Sequence, residues 1–199
     1  MKNKDQRHKK RMERKKEVID SSIAEADIEK GVVLVLTGNG KGKSSSAFGM
    51  VGRALGHGQK VGICQFIKNR KDTGEEAFFG KDPNADWHVL GDGFTWDTQN
   101  REQDVATSKK GWSVAKDMLQ NNEYDLVILD ELTYLLNYDY LDVETVLDDI
   151  KARPKMQHVV ITGRAASDEL LEIADTVSEI ADVKHAYRQG IQAQKGIDF

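Results

Sequence analysis

The run Gly31-Val32-Val33-Leu34-Val35-Leu36 leads directly into Thr37-Gly38-Asn39-Gly40-Lys41-Gly42-Lys43-Ser44-Ser45, and no other stretch limits the fold as tightly. The first segment, rich in β-branched residues, reads as a buried strand. The glycines then allow a tight turn, and Ala47, Met50, Val51, Ala54 and Leu55 recur with a helical period. Strand, glycine loop and helix in that order are the layout of a phosphate-binding loop. Backbone N–H groups and a helix N-terminus surround oxyanions, Lys43 reaches a phosphate, and the Ser44 hydroxyl is placed to coordinate magnesium. The usual pattern is Gly, four residues, Gly-Lys-Ser/Thr, but here Thr37 stands at the first Gly position. The loop is a variant in which Gly38 and Gly40 supply the flexibility, consistent with a triphosphate held differently from that of a common ATPase.

A chain of 199 residues suffices for one α/β domain with a sizeable core. No apolar run approaches the roughly 20 residues that span a bilayer, and the basic, polar N-terminus has no hydrophobic region behind it. A cytoplasmic protein without a membrane partner is expected. The single cysteine, Cys64, excludes an internal disulfide and any multi-cysteine metal site; its apolar surroundings, Val61 to Phe66, read as a packed strand. Residues 1–17 carry nine basic and three acidic side chains, although the whole chain has a net charge of −4. Such an arm binds nucleic acid or anionic lipid, or is simply a solvated helix. The last reading is favoured, with no nucleic-acid partner expected, because the arm has no aromatics to stack on bases. Val18, Ile19, Ile23, Ala26 and Ile28 form a weak amphipathic stripe, suited to a helix that packs on the domain or on a partner. Two parts are expected, a basic arm and helix over 1–30 and an α/β domain over 31–199.

Further along, Gly56-His57-Gly58 ends the helix and Lys60 to Phe66 reads as the second strand. Arg53, on the helix leaving the loop, is either a nucleotide ligand or an ordinary helix-surface arginine. Residues 67–83 form a polar stretch that follows a strand, which places it at the sheet's carboxyl edge, where ligands bind in such folds. After the short apolar stretch Trp87 to Leu90 comes Gly91-Asp92-Gly93-Phe94-Thr95-Trp96. If that segment is extended, Phe94 and Trp96 project to one side, either to pin the loop into the core or as an apolar platform for a large flat ligand. Asn100 to Leu119 reads as a helix. The strand Tyr124 to Leu129 ends in Asp130-Glu131, where the magnesium partner of a nucleotide site belongs. In a hydrolase the second carboxylate positions water, so a P-loop ATPase making ADP and phosphate remains an alternative. Helices over Leu132–Asn137, Val143–Ile150 and Asp168–Ile173 and strands over His158–Thr162 and Thr176–Ile180 complete the pattern. This alternation predicts an α/β fold with a mostly parallel sheet and helices on both faces. The polar tail from Lys184 to Phe199 has no role that composition explains.

Taken in order, the variant loop, Gly93-Phe94-Thr95-Trp96, Thr98-Gln99-Asn100-Arg101-Glu102, Leu129-Asp130-Glu131-Leu132-Thr133-Tyr134, Ile161-Thr162-Gly163-Arg164 and the tail make the chain resemble the ATP:corrinoid adenosyltransferases of the CobA/BtuR type. The resemblance spans residues 31–199 and, more weakly, the N-terminal helix. Where the family commonly has two threonines, this chain has Ser44-Ser45, which keep the hydroxyls. The resemblance implies a RecA-like P-loop fold, a homodimer, and transfer of the 5′-deoxyadenosyl group of ATP to a reduced corrinoid with release of triphosphate. It also implies a flavoprotein or other reductant for cobalt, and a place in cobalamin biosynthesis or salvage. Cobalt(I) is itself the nucleophile, so no activated serine, cysteine or histidine is needed. By the same resemblance Gly38, Asn39, Gly40, Lys41, Gly42, Lys43, Ser44, Ser45 and Arg53 bind ATP, Arg53 at the sugar. Lys43 and Glu131 act in catalysis, Ser44 and Glu131 hold magnesium or manganese, and Asp130 stands behind them. Phe94 and Trp96 meet the corrin's lower face, and the N-terminal helix closes over the neighbouring subunit's nucleotide site.

Overall fold

The computed structural model describes residues 2–68, 73–91, 93 and 100–198. They form two units, residues 1–30 and 31–199. In the first, helix α1 (Lys2–Glu25) takes in the whole basic arm and ends before Ile28. A spaced ion pair, Lys9 to Glu13 at 3.9 Å, supports it across one turn. Its apolar side chains Val18, Ile19 and Ile23 are exposed.

The second unit is built on strands β1 (Val33–Thr37), β2 (Val61–Gln65), β3 (Ala85–Val89), β4 (Leu126–Asp130), β5 (His158–Thr162) and β6 (Thr176–Glu179). They lie in one sheet in the order β3-β2-β4-β5-β1-β6, and every pairing is parallel. Parallel neighbours need crossovers, supplied by α2 (Lys43–Gly56), α3 (Gly74–Phe79), α4 (Arg101–Gln120), α5 (Leu132–Asn137), α6 (Val143–Lys151) and α7 (Asp168–Glu172).

Side chains alternate along each strand, so one sheet carries two cores. Leu36, Val61, Ile63, Ile128 and Val160 face Ala47, Phe48 and Val51 of α2. Val33, Val35, Cys64, Val127, Leu129, Val159 and Ile161 face the other layer, where Trp112, Leu119, Leu135, Leu147, Ile150 and Leu170 arrive from α4 to α7. Burial on both faces explains why the strands read as continuous apolar runs rather than as alternating ones. The register sets Gln65 opposite Asp130 and Leu36 opposite Thr162, so β1, β2, β4 and β5 finish along one edge. The opposite edge is tied by Arg153, whose guanidinium donates to the carbonyls of Ile150, Gln157 and Gly31 at 2.9, 2.9 and 3.0 Å.

Two segments differ from the sequence expectation. The polar stretch 67–83 contains α3, whose first turn is capped by Thr73 accepting from the Glu76 amide and carries Glu75 and Glu76. The fragment around Trp87 is the edge strand β3. Its indole donates to Gln65 Oε1 at 3.0 Å, and its ring centroid lies 5.1 Å from that of Phe48.

Candidate active site

A cleft of about 430 Å³ opens where the strands end. It is lined by Asn39 to Ser45 after β1, Ile67 and Lys68 after β2, Glu131 after β4 and Arg164 after β5, so each wall follows from the strand register. The carboxyl edge is where a parallel sheet leaves its crevice.

The loop itself depends on close backbone approach. Gly38 and Gly42 have φ of +96° and +127°, a region that side chains disfavour. Gly40 donates its N–H to Ile180 O at 2.7 Å, and a Cβ there would lie against the carbonyls of Ile180 and Ala181. The chain leaving β6 is therefore the floor of the loop. Thr37, at the variant position, is the last residue of β1, and its hydroxyl accepts from the Ala166 amide at 3.3 Å. Gly42 caps α2 without a side-chain hydrogen bond, which leaves the first-turn N–H groups for an anion.

Lys43 is buried, with its Nζ donating to Gly40 O at 2.8 Å. Burial lowers its pKa and the charge of Arg164 lowers it further, while Glu131 and Asp130 offset part of the effect. A poorly solvated ammonium of this kind gains strongly from an incoming polyanion. Lys41, more exposed, pairs with Asp198 of the tail at 2.8 Å. Through that pair the polar tail acquires a place, since Asp198, Ile197 and His185 line the cleft.

Asp130 is fully buried and densely bonded. It accepts from Thr162 Oγ1 at 2.8 Å, Lys68 Nζ at 2.7 Å and Gln65 Nε2 at 3.2 Å, and from the Ser44 hydroxyl. Burial works to raise its pKa, but the charge of Lys68 and the bonds from Lys68, Ser44 and Thr162 outweigh it and hold the carboxyl below the ordinary range. Glu131 behaves in the opposite way. Burial, and then the charge of Asp130, push it up, and its Oε2 is buried with no hydrogen-bond partner among the described residues. Its backbone is left-handed, φ 63°, and is held by its N–H donating to Thr162 Oγ1 at 2.9 Å. An orphaned carboxylate oxygen beside the Ser44–Asp130 pair fits a hard cation that is shared with phosphate oxygens. Among the described residues no cluster of three or more His, Cys, Asp or Glu could hold a metal by itself.

Arg164 is held by its carbonyl, which accepts from Thr133 Oγ1 at 2.7 Å and Asn137 Nδ2 at 3.1 Å. Gly163 makes that turn possible at φ +148°, where a Cβ would collide with Thr133.

Of the residues singled out in the sequence, the cleft brings together Asn39, Gly40, Lys41, Gly42, Lys43, Ser44, Ser45 and Glu131, with Gly38 in the turn beneath. Arg53 does not join them. Ten residues of helix carry it about 15 Å from Lys43, and it lines a separate groove with His57 and His158. Phe94 and Trp96 lie outside the described residues, although Gly93 immediately before them lines the cleft. Sequence reasoning did not assign Lys68, Arg164 or Thr162 to the site; Thr162 and Arg164 stood in the motif Ile161-Thr162-Gly163-Arg164 without a role, and Lys68 was marked only by following a strand. Cys64 is excluded as a nucleophile, because burial in β2 pushes its thiol up to about 12. The arrangement is rich in cations and hydrogen-bond donors for a polyphosphate.

A model of the ATP:corrinoid adenosyltransferase BtuR/CobO/CobP family matches residues 29–199, and one of the cob(I)alamin adenosyltransferase N-terminal segment matches residues 1–23. The chain is 58% identical over 197 residues to a corrinoid adenosyltransferase of Pseudomonas aeruginosa, covering 98% of this chain and 97% of that protein. It is 48% identical over 195 residues to the corrinoid adenosyltransferase of Escherichia coli K12, covering 98% and 99%. To the Salmonella typhimurium corrinoid adenosyltransferase CobA it is 46% identical over 195 residues, with the same coverage.

Proposed function

The chain belongs to the ATP:corrinoid adenosyltransferase family, and from that premise we propose how its cleft carries out ATP-dependent adenosylation. The three phosphates of ATP lie along Asn39 to Ser45, and the adenosyl C5′ is turned toward the corrinoid. The observation that carries this reading is a cleft that brings the glycine loop together with four cations, Lys41, Lys43, Lys68 and Arg164. In the transfer, the cobalt(I) lone pair of the substrate forms the cobalt–carbon bond, and the C5′–O bond breaks. Triphosphate leaves with that electron pair, and cobalt is formally oxidised by two electrons.

The protein's task is to orient C5′ and to stabilise charge arriving on the leaving oxygens. The N–H groups of the loop and of the first turn of α2 point at that charge, and Lys43 can exchange its bond to Gly40 O for a phosphate oxygen. Ser44 and the orphaned Oε2 of Glu131 would hold magnesium, with Asp130 orienting Ser44 from behind. When bound, the ion neutralises phosphate charge and fixes the triphosphate's orientation. Phe94 and Trp96 supply the apolar face for the corrin. Displacing the corrinoid's axial base there eases reduction to cobalt(I), because an axial donor stabilises the higher oxidation state.

The same reading places a homodimer in the cytoplasm, supplied with electrons by a flavoprotein or other reductant. The α1 helix of one subunit covers the nucleotide site of the next, which gives its exposed stripe an occupation. The test is anaerobic incubation of the protein with Mg-ATP and chemically reduced cobalamin, following the corrinoid spectrum and the phosphate products together. A light-sensitive alkylcobalamin formed in step with triphosphate supports the reading; ADP and phosphate without alkylation contradict it.

A further inference from the structure

Lys68 lines the cleft, and the transfer mechanism above gives it no task. It follows Ile67, a β-branched residue at φ +67°, where such a side chain is an outlier. Strain of this kind persists only where the surroundings over-determine it, and here they do. Gly91 packs so closely on the Ile67 backbone that a Cβ at Gly91 would occupy it; Gly93 donates its N–H to Ile67 O at 3.0 Å; and the Lys68 N–H closes back on Phe66 O at 2.7 Å. The result of this turn is to break the strand alternation after Gln65 and carry the Lys68 ammonium into the cleft.

There it meets Asp130 at 2.7 Å, on a carboxylate that also accepts from the hydroxyl of Ser44, the residue following the loop lysine. Two donors on one carboxylate are close neighbours, so the ammonium stands beside the N-terminus of α2, where phosphate oxygens gather. Asp130 does not depend on it alone, since Gln65, Thr162 and Ser44 remain as uncharged donors when Lys68 turns away. The Lys68 side chain is 29% exposed, on the cleft side, so it has room to turn.

We infer that Lys68 is a further catalytic cation of the adenosyl transfer, held on Asp130 until a triphosphate is present and then donating to the leaving triphosphate oxygens. The inference rests on the placement of ATP proposed above. It makes the Ile67 turn a device for delivering charge, and it predicts a contribution greater in the transition state than in the ground state, because the leaving group gains charge as the C5′–O bond breaks.

The test is titration calorimetry with inorganic triphosphate in EDTA, without corrinoid. It compares the wild-type chain, Lys68→Met, Lys68→Arg and the double variant Lys68→Met/Asp130→Asn, each checked for folding by thermal melting. Lys68→Met should bind triphosphate about tenfold more weakly, with Lys68→Arg between it and wild type. The double variant should stay weak, although it no longer buries an unpaired carboxylate; if Lys68→Met alone fails to fold, the double variant carries the test. In turnover, kcat should fall about a hundredfold, well beyond the change in KM for ATP. Wild-type affinity in Lys68→Met, or its recovery in the double variant, would overturn the inference and make Lys68 only the counter-charge of Asp130. If the wild-type chain binds triphosphate neither in EDTA nor with magnesium, the placement of ATP fails, and Lys68's role with it; if it binds only with magnesium, the same comparison of variants is made there.

Discussion

Replacing Glu131 by Gln should make the ligand-free protein more stable and the Mg-ATP complex less so. Among the described residues the Oε2 atom is buried without a donor, and the carboxyl sits beside Asp130, so the folded state carries an unsatisfied acceptor whose charged form is disfavoured. A buried polar group without a partner costs about 1–3 kcal/mol. An amide removes the charge and leaves the shape, and a gain of about 1 kcal/mol is expected, or roughly 2–4 °C in Tm for a chain of this size. The pH dependence has a definite sign. Folded Glu131 holds its proton to higher pH than the unfolded chain does, because its pKa is raised. Between the ordinary glutamate value and that raised value the folded state binds more protons, so its stability declines as pH rises through the window. This part of the slope should vanish in Glu131→Gln. The opposing contribution of Asp130, whose pKa is depressed, is present above the ordinary aspartate value and lost as pH falls through the depressed one. The assay is thermal unfolding by circular dichroism, in EDTA and again with saturating Mg-ATP. Ligand at a hundred times its Kd should add about 2.7 kcal/mol to the wild-type chain by mass action and distinctly less to Glu131→Gln. A variant that melts below wild type in EDTA, or gains as much from Mg-ATP, would refute the assignment of Glu131 as the orphaned metal ligand.

Three further outcomes follow from the same geometry. Thr162→Val removes the hydroxyl that accepts from the Glu131 amide and donates to Asp130; it should cost about 2 kcal/mol and lower Tm by roughly 4–8 °C, and an unchanged melt would contradict it. Gly40→Ala should raise the KM for ATP while the far-ultraviolet circular dichroism stays that of the wild type, because the added methyl lifts the loop off Ile180 and Ala181 without touching either core. Cys64 should resist a disulfide-exchange reagent at mildly alkaline pH until the protein unfolds, and prompt labelling of the native protein would show that β2 opens far more readily than its burial indicates.

Much of this architecture is legible in the sequence for a physical reason. Strands buried on both faces must be apolar throughout, so β1, β2, β4 and β5 stand out as runs between glycines and charges. The loop is equally plain, because phosphate binding needs backbone rather than side chains, and the backbone demand is written as glycine. What escapes is whatever acts through a long side chain at a strand end. Lys68 and Arg164 have the composition of ordinary surface cations, and only the register of β2, β4 and β5 shows that their strands finish at the same place. The Ile67 turn leaves no sequence mark at all, since the glycines that permit it, Gly91 and Gly93, lie more than twenty residues away. Arg53 is the opposite case: it is near the loop in sequence, but α2 carries it to a separate groove. The tail gains meaning only in three dimensions, through the Lys41–Asp198 pair.

The central claim is that this cleft retains a triphosphate and gives up the adenosyl carbon, so that the bond broken is C5′–O. The most direct measurement uses ATP carrying heavy oxygen at the bridging 5′ position, with reduced cobalamin under anaerobic conditions, and follows the label by mass spectrometry. The account predicts that all of the label appears in inorganic triphosphate and none in the adenosylated corrinoid. Label retained on a nucleoside product, with ADP and phosphate accumulating, would mean that a phosphorus–oxygen bond had broken instead, and that Glu131 positions water rather than a metal ion.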